Sequence, residues 1–133
     1  MWLAHANITL ENPKLPKLKP LQVKALADSG AVYLCVPEQV AEQLKLEPLY
    51  QREVILADGR KQICPYVGPV HVRFDKRGCM VGAVVMGDEV LLGAIPMEDM
   101  DLVVLPQARK VTINPENPNF AAGAAKGFRH PRQ

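Results

Sequence analysis

Among the 133 residues of this chain, those whose side chains could carry chemistry are few and widely spread. Cys35, Cys64 and Cys79 are odd in number and form no Cys-x-x-Cys pair, and His5, His71 and His130 stand in no His-Glu-x-x-His or similar ligand spacing. Neither a disulfide framework nor a metal site follows from them, and the cysteines read as small buried hydrophobes. A Cys-His hydrolase built from one of them with His71 finds no local support. Ser29 is the single serine. As a nucleophile it lacks its setting, because Ala27 stands where Gly-x-Ser-x-Gly has its first glycine and no base is placed by spacing. Asp28 remains. Asp-Ser-Gly by itself is an ordinary turn, since Asp and Gly are both favoured there. Here Leu26 precedes it and Ala31-Val32 follows, so the acid stands where the chain should be burying side chains. A carboxylate in such a place needs partners or a task.

The elements that must position Asp28 are strands. Residues 21–27 alternate, with Leu21, Val23, Ala25 and Ala27 on one face, and run into Asp28-Ser29-Gly30; the apolar segment resumes at 31–36. Residues 37–44 carry a helix signature, with Pro37 in the first turn, Glu38 early, and Val40 and Leu44 four apart. Asp58-Gly59 between apolar residues 53–56 and 61–67 predicts a hairpin. Val70, Val72 and Phe74, a turn at 75–78 and a return at 79–86 predict a second. A short opening strand at 7–10, a strand at 90–93, a helical turn at 96–100 and strands at 102–105 and 110–113 complete the reading. The loop at 12–20 contains Pro13-x-x-Pro16, which is more simply a strand connection than a polyproline ligand. Twelve prolines, about twice the average share, punctuate the chain and leave long helices nowhere to run. The long proline-free stretch at 70–95 is broken by Gly78, Gly82, Gly87 and Gly93, so a helical bundle is excluded.

Length fits one domain, read as residues 1–120, followed by a flexible basic tail at 121–133. Hydrophobic residues make up 48% of the chain and aromatic ones 5%, so the core must be aliphatic. No apolar run approaches the roughly 20 residues that span a bilayer, and the first residues lack the basic and then apolar pattern of a signal peptide. No membrane association and a cytoplasmic location are the expectations. The formal charge of +2 resides in the tail, where Lys126, Arg129 and Arg132 stand without an acid, leaving −1 on residues 1–120. A near-neutral body disfavours nucleic acid as a partner.

Residues 25–31, Ala-Leu-Ala-Asp-Ser-Gly-Ala, resemble the active-site segment of the retropepsin-like aspartic proteases: two apolar positions, Asp-Thr/Ser-Gly, then Ala. Leu91-Leu92-Gly93, ahead of the helical turn at 96–100, resembles the second signature of that family, and the hairpin at 53–67 falls where the family has its flap. The likeness spans residues 21–105 and is nearest to the small bacterial members. It implies an all-β fold, a closed retropepsin-like β-barrel (the acid protease fold) with one or two short helices and one lobe per chain. It also implies Asp28, Ser29 and Gly30 as the catalytic segment, and substrate contacts from Ala31, Tyr33, Leu56, Ala57, Asp58, Gly59, Val90 and Leu91. No metal or organic cofactor is implied.

Chemistry of this class needs two facing carboxylates that share one proton, one activating water while the other protonates the substrate carbonyl. One such segment is present, so the resemblance implies a homodimer in which two copies of Asp28 face each other across a two-fold axis, acting on a peptide or protein substrate. The strands at 7–10 and 110–113 would interleave with those of the partner, and the Asp58-Gly59 hairpin would close over the peptide. Three positions depart from the retroviral pattern: Val32 and Tyr33 stand in place of carboxylates, and Ala94 in place of an arginine. The alternative is a catalytically inactive domain of the same fold that dimerises or binds peptides, since fold does not fix function.

Overall fold

The computed structural model describes residues 4 to 125, so most of the expected basic tail, His130 included, lies outside the described residues. Strict alternation sets the first strands. In β1 (Ala4–Glu11) the side chains of Ala4, Ala6, Ile8 and Leu10 are buried and the intervening ones face outward. β2 (Leu21–Ala27) runs antiparallel to it, from Ala4 opposite Ala27 to Leu10 opposite Leu21. The remaining elements follow as β3 (Leu34–Val36), α1 (Glu38–Gln43), β4 (Glu47–Ile55), β5 (Lys61–Phe74), β6 (Arg77–Val85), β7 (Leu91–Leu92), α2 (Ala94–Asp99), β8 (Leu102–Leu105) and β9 (Lys110–Ile113).

Six strands close on themselves in the order β5-β6-β3-β7-β2-β1, and β1 returns to β5 through Thr9 opposite Arg73, Leu10 opposite Val72 and Glu11 opposite His71. Closure leaves these six without a free edge. The interior is aliphatic, as the low aromatic content required: Leu10, Leu34, Val36, Val70, Val72, Leu92 and Met100 are fully buried. The fold is therefore an all-β closed barrel with two six-residue helices. Neither helix is long and apolar enough to cross a membrane.

The proline arithmetic misplaced one boundary. A strand ending at residue 67 and a new one starting at Val70 were expected, with Pro69 between them, yet β5 runs through as one strand of 14 residues. Residues 61–65 are paired on one side only, to β4, because β6 joins β5 from Tyr66 onward, so Pro65 stands where the ladder to β6 has not begun. Pro69 falls at the register shift between Val67 and Val70, where pairing is interrupted in any case. A second difference lies at 31–33, which is loop; β3 begins only at Leu34. The third concerns the strands expected to interleave with a partner. β1 is covered along its length by β2 and at Thr9 to Glu11 by β5, while β9 pairs throughout with β8 and at Lys110 with His5. Within the single chain β9 at residues 111–113 therefore has a neighbour on its β8 side only.

One buried charge ties the later elements to the barrel. Arg77, 6% exposed, donates through Nη1 to the Met100 carbonyl at 2.8 Å and through Nη2 to the Asn117 carbonyl. Asp101 accepts from Asn114 Nδ2, Asn117 Nδ2 and the Ala122 N–H, which holds the segment after β9 against the end of α2.

Candidate active site

The Asp28 segment leaves β2 and is held by the β7–α2 segment beside it. Leu26 N–H donates to the Val90 carbonyl at 2.9 Å and Asp28 N–H to the Leu92 carbonyl at 3.1 Å, so the parallel ladder between β2 and β7 continues to the acid itself. Beyond the turn, closed by Ala31 N–H to the Asp28 carbonyl at 3.1 Å, the direction of donation reverses. Ala94 N–H donates to the Ala31 carbonyl at 2.8 Å and Ile95 N–H to the Val32 carbonyl at 2.9 Å. The two segments that sequence singled out, 65 residues apart, are thus laced together by four backbone hydrogen bonds.

Glycine is required where they cross. A Cβ on Gly93 would lie 2.3 Å from the Tyr33 carbonyl oxygen and 2.9 Å from that of Ala31, both backbone atoms that cannot move aside. Gly30 is less constrained, its Cβ meeting only Asp28 Oδ1 at 3.2 Å. What Gly30 supplies is a donor: its N–H reaches Asp28 Oδ1 at 2.9 Å and fixes the carboxylate plane. Asp28 was expected among buried side chains. In the single chain it is exposed, as are Ser29 and Gly30, because the turn lies at the rim of the barrel rather than within its wall. The Ser29 hydroxyl has no hydrogen-bond partner among the described residues.

From Asp28 an apolar wall crosses the outside of the barrel. Leu26, Leu91, Cys35, Val84, Tyr66 and Tyr50 stand opposite one another in successive strands β2, β7, β3, β6, β5 and β4. Cys35, Cys64 and Val84 form a buried cluster there, separate from the barrel core, with Tyr33, Val54, Tyr66, Met86 and Leu91 packed against it. The Tyr33 and Tyr66 rings meet edge to face at 5.9 Å, and the Arg52 guanidinium lies 4.3 Å from the Tyr66 ring centre. Tyr66 in turn lies flat over Gly82, where a Cβ would fall 2.2 Å from the ring. Burial, then Cys64, then the charge of Asp28 push the Cys35 thiol up to about 11, which keeps Cys35 neutral within this cluster.

Of the expected substrate contacts, Ala31, Tyr33 and Leu91 are brought to this wall or to the turn beside it. Val90 is not. It is 5% exposed and packed in the barrel core with Leu92, because strand alternation sends residues 90 and 92 inward and only Leu91 outward. Leu56, Ala57, Asp58 and Gly59 lie at the tip of the β4–β5 hairpin, which extends past β6 as two strands alone. The tip is closed by Leu56 N–H to the Arg60 carbonyl at 2.7 Å, and Asp58 binds Arg60 through both the N–H (3.0 Å) and Nε (2.6 Å). Those bonds hold the Asp58 carboxyl below its ordinary value. Sequence reasoning missed Cys35, Cys64 and Tyr66 as part of this wall. The signal was available for Cys35: it shares alternation parity with Tyr33, opposite to Leu34 and Val36.

No family model matches the chain, and no curated protein matches it. Among solved structures it is similar to the solution structure of the Simian Foamy Virus (mac) protease, with 22% identity over 68% of this chain and 90% of that one, at a TM-score of 0.43.

Proposed function

We propose that the chain is one half of an aspartic endopeptidase, completed when the Asp28 of a second copy faces its own across a two-fold axis. The observation that carries the reading is Asp28 itself: a carboxylate displayed at the rim of a rigid barrel, one oxygen fixed by Gly30 N–H and its turn laced to Leu91-Leu92-Gly93. A binding module has no use for an acid held this way. Exposure in the single chain suits the reading, since the second copy would cover it.

In the assembled site one carboxylate takes a proton from water as the water oxygen bonds to the peptide carbonyl carbon. The other, protonated, gives its proton to the carbonyl oxygen. Return of a proton to the amide nitrogen then breaks the C–N bond, leaving an acid and an amine. Two close carboxylates cannot both ionise freely, so the titration belongs to the pair. Leu91 and Tyr33, packed over the buried Cys35–Cys64–Val84 cluster, would take apolar side chains of an extended peptide, under the β4–β5 hairpin as cover.

The test is cleavage of a peptide library at mildly acid pH by the wild-type chain and by Asp28→Asn. Cleavage by the first and its loss in the second are expected. Equal cleavage by both, or none by either at any pH, overturns the reading.

A further inference from the structure

The loop at 12–20 joins β1 to β2 and takes no part in the site at Asp28. It carries Lys14, Lys17 and Lys19 and no acid. Its backbone is bent rather than extended: Leu15 N–H donates to the Asn12 carbonyl at 3.1 Å and Leu18 N–H to the Leu15 carbonyl at 2.9 Å, so Pro13 and Pro16 do not lie on a polyproline helix. Asn12 anchors it. This side chain is 5% exposed; its Nδ2 donates to the Leu44 and Lys45 carbonyls at 3.0 and 3.2 Å, and its Oδ1 accepts the Lys14 N–H at 2.9 Å. Leu44 caps α1, so its carbonyl has no partner within the helix. These bonds draw the end of α1 against the loop. An open cleft of about 440 Å³ results, lined by Lys14, Leu15, Pro16, Lys17, Leu18 and Lys45.

Three lysines ring this cleft, and a single acid answers them: Glu47, 3.6 Å from Lys14. Lys17 and Lys45 have no ion pair among the described residues. Lys45 also holds φ at 53° just past the end of α1, a position where glycine is the less strained residue. Between the lysines the lining is aliphatic, with Leu15 40% exposed.

We propose that the cleft docks an acidic segment of a protein partner, setting carboxylates against Lys17 and Lys45 and an aliphatic side chain against Leu15 and Leu18. Charge complementarity selects the sign, and the leucines call for more than a bare inorganic anion. A concave lining favours a peptide over a membrane surface, and residues 1–120, at −1, give an anionic bilayer no broader attraction. The cleft stands apart from the candidate active site. The loop enters β2 at Leu21 and Asp28 follows the other end of that strand, seven residues on at about 3.3 Å each, so docking leaves the Asp28 turn free.

The experiment is fluorescence anisotropy of a labelled peptide, Glu-Asp-Leu-Glu-Asp-Leu-Glu, titrated with the full chain at low salt. Wild type and Asp28→Asn are expected to bind it equally, which separates docking from cleavage. Replacing its acids by Gln and Asn, or its leucines by Ser, should each weaken binding about tenfold or more. The double variant Lys17→Glu/Lys45→Glu should lose as much with an unchanged circular dichroism spectrum. Arg109→Glu/Lys110→Glu makes the same change of charge at the far end of β1, where Lys110 lies opposite His5, and should bind as wild type does. Amide NMR shifts on titration should fall at residues 14–18 and 44–46. No binding, equal loss in both charge variants, indifference to the leucines, loss in Asp28→Asn, or shifts confined elsewhere overturns the docking site. Capture by vesicles of phosphatidylcholine and phosphatidylserine without peptide binding overturns it too, assigning the lysines to a membrane.

Discussion

The turns at Asp28 and Asp58 begin from the same local chemistry. In each, an aspartate carboxylate accepts the N–H two residues on, at 2.9 Å from Gly30 and 3.0 Å from Arg60. Their surroundings separate them. The second oxygen of Asp58 is taken by Arg60 Nε, and the turn caps a two-stranded hairpin with nothing behind it. The second oxygen of Asp28 has no donor among the described residues, and its turn is laced to a second segment brought from the far end of the sequence. A turn becomes a candidate site when its acid is left unspent and its backbone is braced. The local motif supplies neither condition.

The sharpest way to break this contrast is to neutralise each acid in turn. Asp28→Asn should lower kcat/KM for peptide cleavage by at least about 100-fold, the scale of a lost general acid or base, while Asp58→Asn should cost far less. Comparable losses from the two would erase the distinction. Bracing is tested next. Gly93→Ala drives a methyl into two carbonyl oxygens and should destabilise the chain by about 3 kcal/mol, read from urea unfolding. Gly59→Ala meets no neighbour and should cost about 1 kcal/mol, for the left-handed backbone at φ 87° alone.

A smaller effect concerns titration. The Asp58 carboxyl lies below its ordinary value because Arg60 binds it first through the backbone N–H and then through the side chain. A carboxyl depressed in the folded state favours folding above its unfolded value, and that contribution fades as pH falls through the lower, folded value. Arg60→Ala should move the Asp58 transition, followed by NMR, back toward higher pH and shrink this acid-side dependence. An unmoved transition would mean that the ion pair contributes nothing. The smallest shift is expected at Cys35, whose thiol stands at about 11 with Asp28 as the least of its three causes. Asp28→Asn should lower that titration slightly, and alkylation of native Cys35 at pH 8 should remain slow in both proteins.

Much of the barrel was legible because period-two alternation survives wherever one face of a strand is buried. β2, β8 and β9 begin and end where the pattern of apolar residues does. The reading failed where a residue's meaning depends on its neighbour across the sheet. Pro69 stood between two expected strands, and β5 runs through it because it falls at a register shift where pairing with β6 is interrupted in any case. Val90 looked like a pocket residue beside Leu91, and it packs in the core with Leu92 because alternation along residues 90–92 sends only Leu91 outward. Cys35 and Cys64 looked like ordinary core, and they belong to a separate cluster on the outer face beside Asp28.

The sequence alone determined the class of fold, the strands that frame Asp28, and the two segments that make up the candidate site, since propensity, alternation and turn residues act over a few neighbours. Tertiary structure alone decided that those segments lie side by side, that the Asp28 carboxylate is exposed at the rim, and that β1 is shared between β2, β5 and β9. Contacts between residues far apart in the chain are set by barrel closure, which no local pattern records.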